Sequence, residues 1–178
     1  MSLSFTASAR SEDGMTLIET MVALLVLTIG AIGMAQAFLY GMNSVATGPN
    51  ELIATQKAAE AVESVFSARD TKTLTWAQLT NATAGGVFLN GAQDMKTAGP
   101  DGIVNTADDG RIETVTFPGR DQMLGTGDDV TMTLNGFKRQ IEITNSSDIL
   151  RQVTVTITYP SGSTTRTYKV TVFMSSFA

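Results

Sequence analysis

The feature that most constrains this chain is a long uncharged segment near its N-terminus. No charged side chain occurs between Glu19 and Glu51, and an apolar stretch begins at Met15 and continues to Tyr40. As a helix rising ~1.5 Å per residue, residues 15–40 would be about 39 Å long, which is enough to cross a bilayer. The sequence therefore predicts a membrane-length helix.

A short polar leader, residues 1–14, precedes this helix and ends at Gly14. A secretory signal has the opposite order, because its apolar core precedes the cleavage site and leaves with the signal. Cleavage at Gly14 would instead leave the apolar core in the mature chain. Gly30 and Gly33 add a small-residue face that permits close helix packing. The alternative is a simple single-pass anchor with incidental glycines.

Glu19 is the one carboxylate inside this apolar segment. A carboxylate inside a membrane helix costs roughly 2.5–3.5 kcal/mol near the helix centre and less near its end, so a partner is expected. An α-amino group created at Met15 by cleavage, and supplied by a neighbouring subunit, would be such a partner. The alternative is a water-facing Glu at a helix start, where the helix dipole favours it.

The order Gly-Met-Thr-Leu-Ile-Glu over residues 14–19, followed by an apolar helix, resembles the class III signal of type IV prepilins and pseudopilins. The resemblance implies that a prepilin peptidase cuts after Gly14 and N-methylates Met15. It also implies that Glu19, the fifth residue of the mature chain, aligns subunits during assembly. Other implied partners are major and minor pilin subunits, which pack through their N-terminal helices, and an inner-membrane assembly platform.

Within that family, the segment is most similar to type IV pilus modification minor pilins. Met15 stands where most members have Phe, and Gln36 stands where major pilins commonly have a helix-kinking Pro. The resemblance therefore implies a minor pilin, with a minor pseudopilin of type II secretion as the alternative. The precursor would lie in the bacterial inner membrane, and the mature chain in a pilus at the cell surface or in a periplasmic pseudopilus.

The amino-acid composition excludes several other classes of function. The chain has 12 Lys and Arg against 17 Asp and Glu, so no nucleic-acid partner is expected. It contains no Cys and no His, which excludes disulfides, thiol or imidazole nucleophile relays and the usual zinc ligands. Paired carboxylates alone make a poor enzyme, so a structural subunit without a required cofactor is predicted.

A second helix is predicted after Gly48 and Pro49, where proline indicates a hinge or kink. Its apolar stripe is predicted to cover a sheet. The stripe consists of Leu52, Ala59, Val62 and Phe66, whereas Lys57, Glu60 and Glu63 are placed away from it.

Strand patterns fill the C-terminal third of the chain. Alternating apolar residues predict a hairpin of 154–159 with 167–174 around Ser161 and Gly162, and residues 130–134 are expected to pair with 137–144. The predicted fold class is α+β, a long N-terminal helix packed on a C-terminal antiparallel sheet, which is the architecture that the pilin resemblance also implies.

The chain thus divides into five predicted regions. They are a leader at 1–14, a transmembrane or filament-core helix at 15–48, an amphipathic helix at 49–70, a connecting region at 71–130 and the sheet at 131–178. Within the connecting region, Trp76 and Phe88 suit either an exposed adhesive loop or, more simply, the core.

The connecting region also holds an acidic repeat, residues 99–109 and residues 119–129. Calcium prefers six to eight oxygen ligands, which such loops can supply, although their spacing is not that of an EF-hand. The candidate calcium ligands are Asp101, Asp108, Asp109, Asp121, Asp128 and Asp129. The alternative is that Asp, Asn, Gly and Thr simply build β-turns.

Calcium binding can be tested on a fragment that begins near Glu51. If the loops bind the ion, calcium should raise the melting temperature of the fragment, because a ligand that binds only the folded state stabilises it. Equal melting temperatures in calcium and in a chelator would contradict the calcium hypothesis.

Overall fold

The computed structural model describes residues 16–177 and their side chains, except the side chains of residues 43–47. The chain forms two compact units, one ending at Asn43 and the other beginning at Ser44. Helix α1 runs from Leu17 to Asp70 and belongs to both. The strands all lie in the second unit: β1 (Gln93–Asp94), β2 (Thr114–Phe117), β3 (Val130–Thr133), β4 (Lys138–Ser147), β5 (Leu150–Ser161) and β6 (Thr164–Ser175).

Helix α1 continues through Gly48 and Pro49, so the separate second helix predicted after them is wrong, whereas the hinge or kink expected at the proline stays a prediction. A proline inside a helix removes one backbone hydrogen bond and crowds the preceding turn. The helical turns on both sides outweigh this local cost. Sequence reasoning weighted the proline alone and therefore placed an interruption within one continuous element.

Four strands form an antiparallel sheet in the order β1-β4-β5-β6. The predicted hairpin is confirmed: β5 pairs with β6, with Val155 opposite Val170 and Ile157 opposite Tyr168. Gly162 lies in the turn between them with φ of 61°, a conformation that costs glycine little. The α+β fold class predicted from the sequence is confirmed as well.

The pairing predicted for residues 130–134 is wrong. β3 pairs with β2, placing Val115 opposite Met132, and the two make a separate hairpin. Residues 135–136 do form a turn, but β4 pairs with β1 and β5 instead of β3. Both β2 and β3 are short alternating segments, and alternation alone does not say which partner a strand chooses.

The helix covers the sheet with a face that includes only half of the predicted stripe. Leu52 is 59% exposed and Ala59 is also exposed, whereas Val62 and Phe66 pack partly buried against the core. The fully buried helix residues are Ile53, Ala54, Ala58, Ala61, Val65 and Ala68. Four of these six are alanines, and small side chains allow a helix backbone to lie close to the sheet it covers. The prediction favoured the larger apolar residues and chose the neighbouring face.

The free edge of β4 beyond the short β1 is covered by a side chain. The Asn81 amide donates to the Ile141 carbonyl at 2.7 Å and accepts from the Ile143 N–H at 2.8 Å. It thereby takes the place of a neighbouring strand and satisfies edge groups that otherwise invite pairing.

Trp76 and Phe88 belong to the core and its margin. Phe88 is fully buried, which excludes it from an exposed loop. The half-buried Trp76 ring lies 4.3 Å from the Arg151 guanidinium, and its indole N–H donates to the Asp148 carbonyl at 3.0 Å. Of the two sequence interpretations, the one that places these residues in the core, and not on an exposed adhesive loop, therefore describes their positions.

Candidate functional site

The N-terminal turn of α1 is shaped by Thr16 and Glu19. The Thr16 hydroxyl accepts a hydrogen bond from the Glu19 N–H at 3.3 Å, and the Thr16 carbonyl accepts one from Thr20 at 3.1 Å. Thr16 thus caps the helix, and the Thr-Leu-Ile-Glu order matches the sequence signature of a capping box. This local chemistry places the Glu19 carboxylate in the first turn, where the helix dipole favours a negative charge.

Glu19 and the apolar part of helix α1 that follows it are exposed. Every side chain from Leu17 to Met42 is exposed, and this stretch is long and apolar enough to cross a membrane. A Cβ placed on Gly30 or Gly33 would meet no atom within 4 Å, so another helix could approach closely there. Within the part of the chain that the structure describes, no Lys or Arg forms an ion pair with Glu19. Gly14 and Met15 lie outside the described residues.

The two acidic loops, 99–109 (loop 1) and 119–129 (loop 2), have the same backbone scaffold. The first Asp of each loop accepts from the N–H two residues later: Ile103 donates to Asp101 at 2.8 Å and Met123 to Asp121 at 2.9 Å. The last Asp accepts from the N–H four residues earlier, at 2.9 Å in loop 1 and 2.6 Å in loop 2. These turn-forming hydrogen bonds give the two loops the same backbone conformation.

The middle of each scaffold is a threonine bonded to an aspartate. Thr106 Oγ1 donates to Asp108 Oδ1 at 2.6 Å, and Thr126 Oγ1 donates to Asp128 Oδ1 at 2.8 Å. Positive φ angles also recur at equivalent positions, at residues 102 and 122 and at residues 105 and 125. A Cβ on the first glycine of either loop, Gly99 or Gly119, would overlap the aspartate that the threonine holds. The sequence repeat is therefore a structural repeat.

These bonds lower the pKa of both threonine-bonded aspartates. For Asp108 the largest cause is the hydrogen bond from Thr106, which partial desolvation opposes and backbone N–H groups reinforce. For Asp128 the Thr126 hydroxyl has the same effect, again opposed by desolvation and supported by backbone N–H groups. A hydrogen bond to the ionised carboxylate favours the charged form, which is why the pKa falls.

Hydrogen bonds within the loops explain where their aspartate side chains lie, without a bound metal ion. Within residues 16–177, no group of three or more acidic side chains is gathered closely enough to hold a metal ion. The carboxylates accept hydrogen bonds from their own loops, as the turn-forming alternative expects. Calcium binding by Asp101, Asp108, Asp109, Asp121, Asp128 and Asp129 stays a prediction.

Loop 1 is attached to the core by a buried chain of ion pairs. Arg139 on β4 is only 2% exposed, and its guanidinium lies 3.2 Å from Glu113 Oε1 and 3.7 Å from Asp109 Oδ2. Glu113 Oε2 is 2.7 Å from Lys57 Nζ on α1. The network joins helix, sheet and loop 1, and a charge this deeply buried requires such partners.

Sequence reasoning missed this network and placed Lys57 away from the core. The side chain of Lys57 is only 15% exposed. Burial by itself lowers its pKa, but the hydrogen bonds to Glu113 and Glu60 outweigh burial, and the pKa lies above the ordinary lysine value. A signal was present, because the alternation that places Phe137 and Ile141 inward also places Arg139 inward.

Comparison with protein families found a match to the prokaryotic N-terminal methylation motif over residues 9–35. Comparison with curated proteins and with solved structures found no match. The matched residues include the end of the polar leader from residue 9, the first turn with Glu19, and the exposed apolar helix as far as Ala35. The chain carries the class III signal of type IV pilins and pseudopilins.

The class III signal defines what kind of precursor this is. It supports a type IV pilin or pseudopilin precursor, and with the apolar helix it fits a precursor in the inner membrane. It indicates processing by prepilin peptidase and assembly with other pilin subunits. Pilins are structural subunits, a class that is usually non-enzymatic. The long helix and antiparallel sheet make the arrangement pilin-like.

The buried network yields a stability prediction for the unit that begins at Ser44. Replacement of Glu113 by Ala leaves the buried Arg139 without its nearest carboxylate and should lower the free energy of unfolding by about 3 kcal/mol. Glu60→Ala is the matched control, because it removes an exposed partner of the same Lys57 and should cost less than about 1 kcal/mol. Urea denaturation of both variants measures the difference, and equal losses would contradict the assigned role of Glu113.

The duplicated scaffold yields a pH prediction. Replacement of Thr126 by Val should raise the pKa of Asp128 towards the ordinary aspartate value, while Asp108 in loop 1 stays unchanged as an internal control. Because the folded-state pKa is depressed, this bond stabilises the fold above about pH 3.9 and is lost as pH falls through the depressed pKa. Carboxyl carbon shifts in an NMR titration report both groups. An unchanged Asp128, or equal shifts of the two, would contradict the prediction.

Proposed function

We propose that this chain is a minor pilin of a type IV pilus, cut after Gly14 and N-methylated at Met15 by prepilin peptidase. The observation that supports it is the methylation motif at residues 9–35, which continues into an apolar helix exposed from Leu17 to Met42. Such a surface is covered by lipid in the precursor and by the helices of other subunits in a filament. A structural subunit of this kind uses its surface and needs no catalytic residues.

Glu19 is the residue that aligns the subunit during assembly. Its carboxylate stands at the start of an apolar helix, capped by Thr16, without a cationic partner among the described residues. Cleavage after Gly14 produces an α-amino group at Met15, a cation that a neighbouring subunit can offer. In a low-dielectric helix bundle such a pair is strongly favoured over two separated charges, so it specifies the axial position of each subunit.

Minor rather than major status rests on the resemblance of the helix sequence to pilus modification minor pilins, including Gln36 in the position of the usual proline. A minor pseudopilin of type II secretion uses the same N-terminus and is the alternative. A minor pilin and a minor pseudopilin differ in where the protein is found and in which process stops when it is deleted. Both properties can be measured in the same cells, so one set of experiments distinguishes the two functions.

The proposal is tested by mass spectrometry of sheared filaments from cells that make this chain. The expected protein begins at N-methylated Met15 and is less abundant than the major subunit. Glu19→Gln keeps the helix and removes the charge, so we expect normal cleavage but about tenfold less protein in filaments, equivalent to about 1.4 kcal/mol of assembly free energy. Glu51→Gln, also exposed on α1, is the matched control and should assemble normally.

Three outcomes would contradict parts of this proposal. A chain that still begins at Met1 in assembled filaments would reject cleavage after Gly14. Normal assembly of Glu19→Gln would reject the alignment role. Loss of exoprotein secretion without loss of pili, on deletion of the chain, would favour the pseudopilin alternative.

A further inference from the structure

Arg151 on β5 is a second buried arginine, and its partners differ from those of Arg139. It is 7% exposed. Arg139 forms ion pairs with Glu113 and Asp109, whereas no carboxylate among the residues that the structure describes forms an ion pair with Arg151. Burial lowers the pKa of Arg151 below the ordinary arginine value, because desolvation disfavours the charged form. An anion that reached this guanidinium would offset the cost of burying its charge.

The hydrogen bonds of Arg151 use only part of its guanidinium group. Nη1 donates to the Trp76 carbonyl and, at 2.8 Å, to the Leu79 carbonyl, and Nε donates to Asn145 Oδ1 at 2.9 Å. All three acceptors are uncharged. Within residues 16–177, neither Arg151 Nη2 nor Asn145 Nδ2 donates a hydrogen bond. Two unused donors therefore belong to side chains that are already joined to each other.

Both residues line a cavity of about 300 Å³ that is open to solvent. Trp76 forms another part of its wall, and the Trp76 ring lies 4.3 Å from the Arg151 guanidinium. The other residues that line the cavity are small or polar: Ala77, Ser147 and Asp148. A wall that combines an aromatic ring with a few polar groups and one buried charge is typical of a small-molecule site.

We propose that this cavity binds a sugar acid, which is a small hydroxylated ligand with one carboxylate. The carboxylate accepts hydrogen bonds from Arg151 and Asn145 and neutralises the buried cation. The Trp76 ring offers an apolar surface to the C–H groups of a sugar ring, and Ser147 and Asp148 have side-chain groups that bond to hydroxyls. The cavity has one cation and also contains Asp148, so a monoanion suits it better than a phosphate group, which carries about −1.5 to −2 charges. This assignment does not depend on the proposed function.

The fluorescence of Trp76 tests the site, because Trp76 is the only tryptophan of the chain. The full chain in detergent micelles is titrated with glucuronate at about 0.15 M salt, where attraction between exposed charges is screened. We expect a saturable change in emission. Glucose has the same ring without the carboxylate and should cause no change at equal concentration. No saturable change with glucuronate, an equal response to glucose, or tighter binding of inorganic phosphate would overturn the proposal.

A variant of Asn145 tests the pair of donors while leaving Arg151 in place. Asn145→Asp keeps the oxygen that binds Nε but removes the Nδ2 donor and supplies a carboxylate to the guanidinium, so glucuronate should bind at least about tenfold more weakly. The melting temperature should not fall, because the new carboxylate keeps the bond to Arg151. Asn90→Asp is the matched control, since Asn90 is also exposed and its Oδ1 accepts from the Thr83 hydroxyl at 3.0 Å. Unchanged affinity in Asn145→Asp, or an equal loss in Asn90→Asp, would contradict the site.

Discussion

The organisation of this protein depends on an apolar helical surface that is exposed among the residues the structure describes. From Leu17 to Met42 every side chain is exposed, and Gly30 and Gly33 leave open space where another helix can approach. Such a surface is stable only against lipid or other helices. The Glu19 carboxylate at its start adds a directional requirement, because an apolar environment favours that charge only beside a cation. The proposed cleavage after Gly14 would keep this helix in the mature chain, so that both requirements would persist after processing.

The second unit holds a sheet, a helix and irregular loops together without any disulfide. A hydrophobic core shared by the buried face of the helix and the sheet provides the apolar part. The polar part is the buried network of Lys57, Glu113, Arg139 and Asp109. Desolvation makes such a network costly, so its main physical effect is to penalise arrangements that separate its members. One arginine on β4 therefore determines where the helix, the segment before β2 and loop 1 meet.

The two acidic loops share one backbone scaffold but lie in different surroundings. Each loop is stabilised by its own aspartates, whose carboxylates bind backbone N–H groups and a threonine hydroxyl. Loop 1 adds the contact of Asp109 with Arg139 and becomes part of the core. Loop 2 has no such cation among the described residues and extends from a two-stranded hairpin with its apolar tip exposed. The hydrogen bonds make both loops rigid, and the surroundings decide which tip is buried.

The sequence by itself determined the features that arise from near neighbours: the membrane-length helix, the capped turn with Glu19, the β5–β6 hairpin and the loop repeat. Periodicity and turn chemistry act within a few residues and can be read directly. The tertiary structure alone decided which helix face is buried, that β3 pairs with β2, and that Arg139 lies between carboxylates from two segments, Asp109 of loop 1 and Glu113 before β2. Those outcomes depend on contacts between distant residues, where close packing and charge pairing select among locally equivalent choices.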